Sequence, residues 1–157
     1  MFPIFRALRL SAAMLVALAL GAVPAEADQV IDGDTLEVEG QRMRLYGIDA
    51  VELEQTCLDA HGQPWHCGAA AKAALAELVE GQAIACTVLD DTREDGYVAQ
   101  CTVRDEIDLG SYMVRSGLAL ADPEVTEDYR ADQAAAKAAA AGVWGGTFNP
   151  PWEWRGQ

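Results

Sequence analysis

Short apolar segments separated by turn residues constrain this chain more than any other feature. Residues 29–31, 35–38 and 42–48 alternate or run apolar, with Gly33 and the pair Glu39-Gly40 between them. That pattern predicts a strand, a tight turn and a hairpin. Residues 84–89 and 97–103 predict a second hairpin, joined by the charged run 90–95 and closed by Gly96. Between the hairpins, Ala70, Ala74, Leu75, Leu78 and Val79 recur at helical spacing within 69–80, and Gly81 stands where that helix should stop. Asp108 opens a short helix through Val114, and the Ala-rich stretch 124–141 predicts a longer one ending at Gly142.

Strands, helix, strands, helix, helix, without a repeat or linker, describe one α+β unit. Five short strands with about three helices suit a small closed barrel of the OB type. Residues 1–27 stand apart. Arg6 and Arg9 precede an apolar run over 10–23 and then small residues, the pattern of a secretory leader cut after Ala27 or Ala25. The run is too short for a stable membrane anchor, and no cysteine follows either cut to take a lipid. The expected product is a single domain over 28–157, soluble, monomeric, and periplasmic or secreted.

Export bears on Cys57, Cys67, Cys86 and Cys101, which then favour two disulfides. Three pairings are possible in principle, and proximity suggests Cys57 with Cys67 and Cys86 with Cys101. His61 and His66 lie between the first two cysteines and offer a zinc alternative. The site lacks the close Cys or His pairs at both ends that such sites usually show, so disulfides are the stronger reading. The formal net charge is −14, and loss of Arg6, Arg9 and Glu26 makes it one unit more negative. Such a balance opposes non-specific binding to a polyanion, which clustered Lys and Arg usually supply. Solubility is its simpler meaning.

The densest polar constellation is Asp32-Gly33-Asp34-Thr35, followed by Arg44, Asp49 and Glu52, each at a strand end or turn. Two aspartates and a backbone oxygen from neighbouring strand ends could hold a hard cation such as calcium. An arginine beside them could fork onto a phosphate, and a free glutamate could take a proton from water. Asp-Gly is also an ordinary hairpin turn, and spacing alone does not separate the two readings.

Further residues do. Val30-Ile31-Asp32-Gly33-Asp34-Thr35-Leu36, Arg44-Leu45-Tyr46-Gly47-Ile48-Asp49 and Glu52 resemble the signature of the staphylococcal nuclease, or thermonuclease, family. Asp108-Leu109-Gly110, Met113-Val114, Gly117-Leu118-Ala119, Gly142-Val143-Trp144, Phe148, Pro151 and Trp154-Arg155 extend the likeness over nearly all of 28–157. The resemblance implies an OB barrel and calcium-dependent cleavage of DNA and RNA, with single strands as the expected partner. By the same resemblance Asp34 and Asp49 bind the ion with the Ala50 carbonyl, and Asp32 lies just behind them. Arg44 would hold the scissile phosphate and Glu52 would be the general base. A cysteine pair flanking the first helix is likewise similar to exported bacterial members.

Three departures weaken the likeness. Val51 stands where the family usually has proline, which should loosen the Glu52 loop. Glu94-Asp95-Gly96 replaces a Tyr-Gly-Arg whose arginine stabilises the transition state, with Arg93 the nearest substitute. Asp122 and Val125 replace tyrosines that pack on nucleotide. The expectation is an exported phosphodiesterase of impaired activity; the alternative is a non-catalytic binding domain of the same fold for a protein or small anionic ligand. Trp144, Trp152 and Trp154 read as packing residues, with ligand stacking the alternative.

Overall fold

The structure is a computed structural model that describes residues 28–92, 94–104 and 106–156. The expected leader and Arg93 therefore lie outside the described residues. In chain order the elements are β1 (Gln29–Val30), β2 (Thr35–Val38), β3 (Gln41–Leu45), β4 (Ile48–Ala50), β5 (Cys57–Leu58), β6 (Pro64–Trp65), α1 (Cys67–Val79), β7 (Ile84–Asp90) and β8 (Tyr97–Val103). They continue with β9 (Ile107–Asp108), α2 (Leu109–Arg115), β10 (Ala119–Ala121), α3 (Arg130–Ala138), a 3₁₀ turn (Gly142–Gly145) and α4 (Pro151–Trp154).

The α+β class and OB-type sheet are as the sequence implies. Glu39 and Gly40 both take positive φ, 51° and 75°, the geometry a two-residue hairpin needs to match strand twist. β2 and β3 then pair antiparallel from Thr35↔Arg44 to Val38↔Gln41. Alternation along β3 buries Met43 and Leu45 and turns Arg42 and Arg44 to the opposite face. β3 pairs in parallel with β8, and β8 pairs antiparallel with β7 through a bulge between Val88 and Asp90. The sheet thus runs β1-β2-β3-β8-β7, with β9 branching from β8, and curls as a half-barrel. Among the described residues its hydrogen-bonded path does not close. Gly47, with φ 72°, turns the chain out of β3 so that β4 leaves the sheet and pairs with β10.

Leu36, Val103, Leu75 of α1, and Leu109 and Met113 of α2 are fully buried in one core. Truncating any one of the leucines to alanine should cost about 2–5 kcal/mol. Asp108 caps α2 by accepting from Ser111 N at 2.8 Å, as its position suggests. The long helix expected over 124–141 forms only as α3. Asp122 accepts from Glu124 N, Val125 N and Thr126 N, and Thr126 Oγ1 from Asp128 N, so local turns outcompete the first helical turns.

Cys57 pairs with Cys67 at the start of α1, and Cys86 pairs with Cys101 directly across β7 and β8. No helix among the described residues is long and apolar enough to cross a membrane.

Gly33 sets how closely the β1–β2 turn approaches the rest. A Cβ there would lie 2.8 Å from the Ala50 Cβ and 2.9 Å from the Ala71 Cβ, so β4, α1 and the turn meet at this point. Gly33→Ala is expected to destabilise the protein by about 1–3 kcal/mol through overpacking. Adding Ala71→Gly should recover part of that loss, as read by the urea midpoint; an additive second loss would refute the close-approach argument.

Candidate functional site

Asp34 ends the β1–β2 turn, which its own N–H helps to form by donating to Asp32 Oδ1 at 3.0 Å. Its carboxylate then points inward and is only 6% exposed. Thr35 Oγ1 donates to Oδ1 at 2.9 Å, and the Ala50 N–H donates to Oδ2, also at 2.9 Å. Arg44, on the outward face of β3, sends Nη2 to Asp49 Oδ1 at 3.0 Å and to Asp34 Oδ2 at 3.5 Å. One nitrogen therefore bridges carboxylates from two strands. Burial raises the Asp34 carboxyl from the usual 3.8 to about 6, against the opposing pull of Arg44 and the Ala50 N–H, with the neighbouring Asp32 charge adding to the rise.

Glu52 follows β4 on a loop that Gln55 holds. Gln55 is fully buried, which demands that its amide be satisfied. Its Oε1 accepts from Glu52 N at 3.1 Å, its N–H donates to Glu52 O at 2.7 Å, and its Nε2 donates to Asn149 O at 2.7 Å. Gly68 packs so closely that a Cβ would meet Glu52 O at 1.7 Å. Val51 does not loosen this loop: it is buried, and its N–H donates to Leu118 O at 3.2 Å, a bond proline could not make.

Sequence reasoning assigned no role to Arg155, although it noted the Trp154-Arg155 match. The residue follows α4, and its Nη1 and Nη2 grip Asp49 Oδ1 and Oδ2 at 2.9 and 2.8 Å. Nη1 also donates to Glu52 Oε1 at 2.5 Å. The bond to Asp49 and that to Glu52 hold its charge firmly in place. The advance signals were that match and a cation in a tail otherwise rich in tryptophan.

A cleft of about 350 Å³ has Asp32, Asp34, Arg42, Arg44, Glu52 and Arg155 among its walls. Residues 28–157 hold nine lysines and arginines, the eleven of the whole sequence less Arg6 and Arg9. Three of them converge here, facing the three carboxylates of Asp32, Asp34 and Glu52.

The second hairpin contributes differently. Asp95 and Gly96 line a small recess beside Arg42 and Arg44. Gly96 has φ 132°, and a Cβ there would lie 2.6 Å from Arg42 O, so an arginine at this position needs a rearranged backbone. Of the two lost tyrosine positions, Asp122 lines a neighbouring cavity and Val125 is exposed. The Cys57–Cys67 disulfide leaves neither sulfur as a thiolate for zinc, and His61 and His66 are exposed.

Among the described residues no group of three or more His, Cys, Asp or Glu side chains converges for a metal. A cation at the cleft would rest on Asp34 and Asp49, with backbone oxygen, as hard oxygen donors. In this structure guanidinium groups hold these oxygens: Arg44 reaches both carboxylates and Arg155 both oxygens of Asp49.

The profile of the staphylococcal nuclease homologue family matches residues 42–146. A succinoglycan biosynthesis protein, ExoI, of Rhizobium meliloti (strain 1021) is 35% identical over 117 residues, covering 73% of this chain and 61% of that protein. This chain thus spans under two thirds of that relative's length. An uncharacterized endonuclease of Escherichia coli O157:H7 is 30% identical over 138 residues, covering 81% of both chains. With fold and sequence in agreement, this chain belongs to the staphylococcal nuclease homologue family.

Proposed function

We propose that this protein is an exported, calcium-dependent phosphodiesterase acting on single-stranded DNA or RNA, with turnover lowered by the altered second hairpin. The observation that carries the reading is the convergence of Arg44 on Asp34 and Asp49, with Glu52 on the wall of the same cleft. Asp34, Asp49 and the Ala50 carbonyl would hold calcium, with Asp32 behind them. When bound, calcium supplies positive charge that polarises the phosphate and acidifies nearby water. Arg44, whose side chain is 38% exposed, presents its fork to the non-bridging oxygens of the scissile phosphate. Glu52 accepts the proton of the attacking water as the P–O bond to the leaving oxygen breaks. A leader on residues 1–27, both disulfides and a monomeric state belong to the same proposal.

The missing hairpin arginine limits the rate. Loss of a cation aimed at the transition-state charge can cost about 10³–10⁵ in rate, by analogy with arginine fingers. The bond from Arg155 to Glu52 favours a second reading, a non-catalytic domain of this fold that binds a protein or small anionic ligand, because it engages the carboxylate that must act as base.

Purified protein with heat-denatured DNA is expected to show slow cleavage that requires calcium. Glu52→Gln should lower it by about 10²–10⁴, the usual contribution of a general base, while calcium binding persists. Arg44→Ala should lower it as well and weaken DNA binding. Cleavage absent from the wild type would favour the binding-domain reading, whereas cleavage unchanged in Glu52→Gln would refute Glu52 as the base.

The Asp34 carboxyl yields a pH prediction. Its folded value, about 6, lies above the unfolded 3.8, so the folded state holds the proton more tightly. Stability from this group is complete below pH 3.8 and is lost as pH rises through about 6. In EDTA, Asp34→Asn is expected to lack this loss, so its urea midpoint relative to wild type should climb between pH 4.5 and 7. A constant difference across that range would contradict the assignment.

A further inference from the structure

Arg42 and Arg44 alternate with Met43 on β3, so both stems rise from the same face, roughly 6.4–6.8 Å apart along the strand. β3 lies inside the sheet, paired to β2 on one side and to β8 on the other, which fixes the two stems relative to each other. Their surroundings differ. Arg44 donates to Asp34 and Asp49, and Arg155 donates to Asp49 and Glu52. Arg42 is exposed, and among the described residues its side chain makes no hydrogen bond or ion pair. Glu37 stands opposite it on β2 and Asp95 shares a recess with it, yet neither forms an ion pair with it. Of the three guanidinium groups on the cleft wall, Arg42 therefore carries the charge that carboxylates do not already engage. Gly96 makes room for it. Met43 lies opposite Tyr97 in the parallel pairing of β3 with β8, which sets Gly96 beside Arg42. A Cβ at Gly96 would lie 3.0 Å from the Arg42 Cβ and 3.2 Å from its Cγ, so a side chain there and the Arg42 stem compete for one space.

We propose that Arg42 is a phosphate-binding residue of this cleft, donating from its guanidinium to non-bridging oxygens of the same phosphate that Arg44 faces. The assignment rests on the phosphodiesterase reading above and adds a residue to it. Arg42 lines both the cleft of Asp34, Arg44 and Glu52 and the small recess that Gly96 walls, so its charge lies between the two strands that border the opening. A phosphate approaching Arg44 or Arg155 meets a group already held by carboxylates, whereas Arg42 forks onto it without giving up a bond. β8 offers no cation at Gly96, and β3 offers one beside it.

The test measures binding of a thymidylate hexamer to the protein in EDTA, from low to moderate salt, for the wild type, Arg42→Gln, Arg42→Lys and Arg130→Gln. The last is a control of equal charge change, since Arg130 is exposed, pairs with Glu127 and is not on the cleft wall. Arg42→Gln is expected to weaken binding about 10- to 100-fold, the range of a hydrogen bond to a charged group. It should also lower the slope of log affinity against log salt by about 0.7, the counterion release of one contact with a single strand. Arg42→Lys should keep the slope. Arg130→Gln should change affinity by no more than about twofold, because salt screens distant charge. As the Arg42 side chain is exposed, both of its variants should melt like the wild type. An unchanged slope in Arg42→Gln, or an equal loss in Arg130→Gln, would overturn the assignment and leave the phosphodiesterase reading in place. If the wild type binds no hexamer, that reading fails, and titration with pyrophosphate decides on Arg42. Pyrophosphate binding that is lost in Arg42→Gln supports it as an anion-binding residue, and binding that is absent or unchanged overturns it.

Discussion

The carboxylate of Asp34 is the charge around which this end of the molecule is organised. A buried carboxylate is costly unless nearby donors compensate it. Three elements provide them: Thr35 at the start of β2, Arg44 on β3, and the Ala50 N–H at the end of β4. Satisfying one group therefore ties the first hairpin to the strand that leaves the sheet. Gly33 permits the approach, since a side chain there would collide with both Ala50 and Ala71. Burial nevertheless leaves the group uneasy as an anion, which raises its proton affinity and makes added positive charge welcome.

The acidity of the chain and the clustering of three arginines at the cleft are compatible because fields act locally. Charges beyond about 10 Å are largely screened at moderate ionic strength, whereas Arg42, Arg44 and Arg155 lie around one opening. The tail matters as much as the barrel here. Gln55 fixes the Glu52 loop to Asn149, and Arg155 returns from beyond α4 to grip Asp49 and Glu52. Glu52 is thus oriented from two sides, by an amide that fixes its backbone and a guanidinium that fixes its carboxylate.

Much of the fold was legible because its signals are local. Glu39-Gly40 marks a turn, the segment that begins at Arg42 reads as a strand, and Asp108 reads as a helix start; the structure contains each. The Ala-rich stretch misled at its start because propensity favours helix there, while the side chains of Asp122 and Thr126 capture the amides that helix would use. Long-range features left no local trace. Gln55 is one polar residue among many until Asn149, 94 positions away, comes to meet it, and Arg155 lies 103 positions from Glu52. The expectation that Val51 loosens the loop failed because the valine N–H gains a partner in Leu118 that only the folded chain reveals. The signature residues could be named from resemblance, but their burial and their shared bond to Arg44 are properties of the folded chain.

The central claim is that the Asp34 and Asp49 carboxylates form a cation site, as distinct from a pair of acids neutralised by arginine. Thermal melting in calcium and in EDTA, near pH 7.5, tests it directly. A site that binds only the folded state raises the melting temperature with calcium concentration. The account predicts that rise in the wild type and in Glu77→Gln, which removes an exposed acid of α1, and its loss in Asp34→Ala. Equal rises in all three proteins would mean that calcium responds to bulk negative charge, and would contradict the claim.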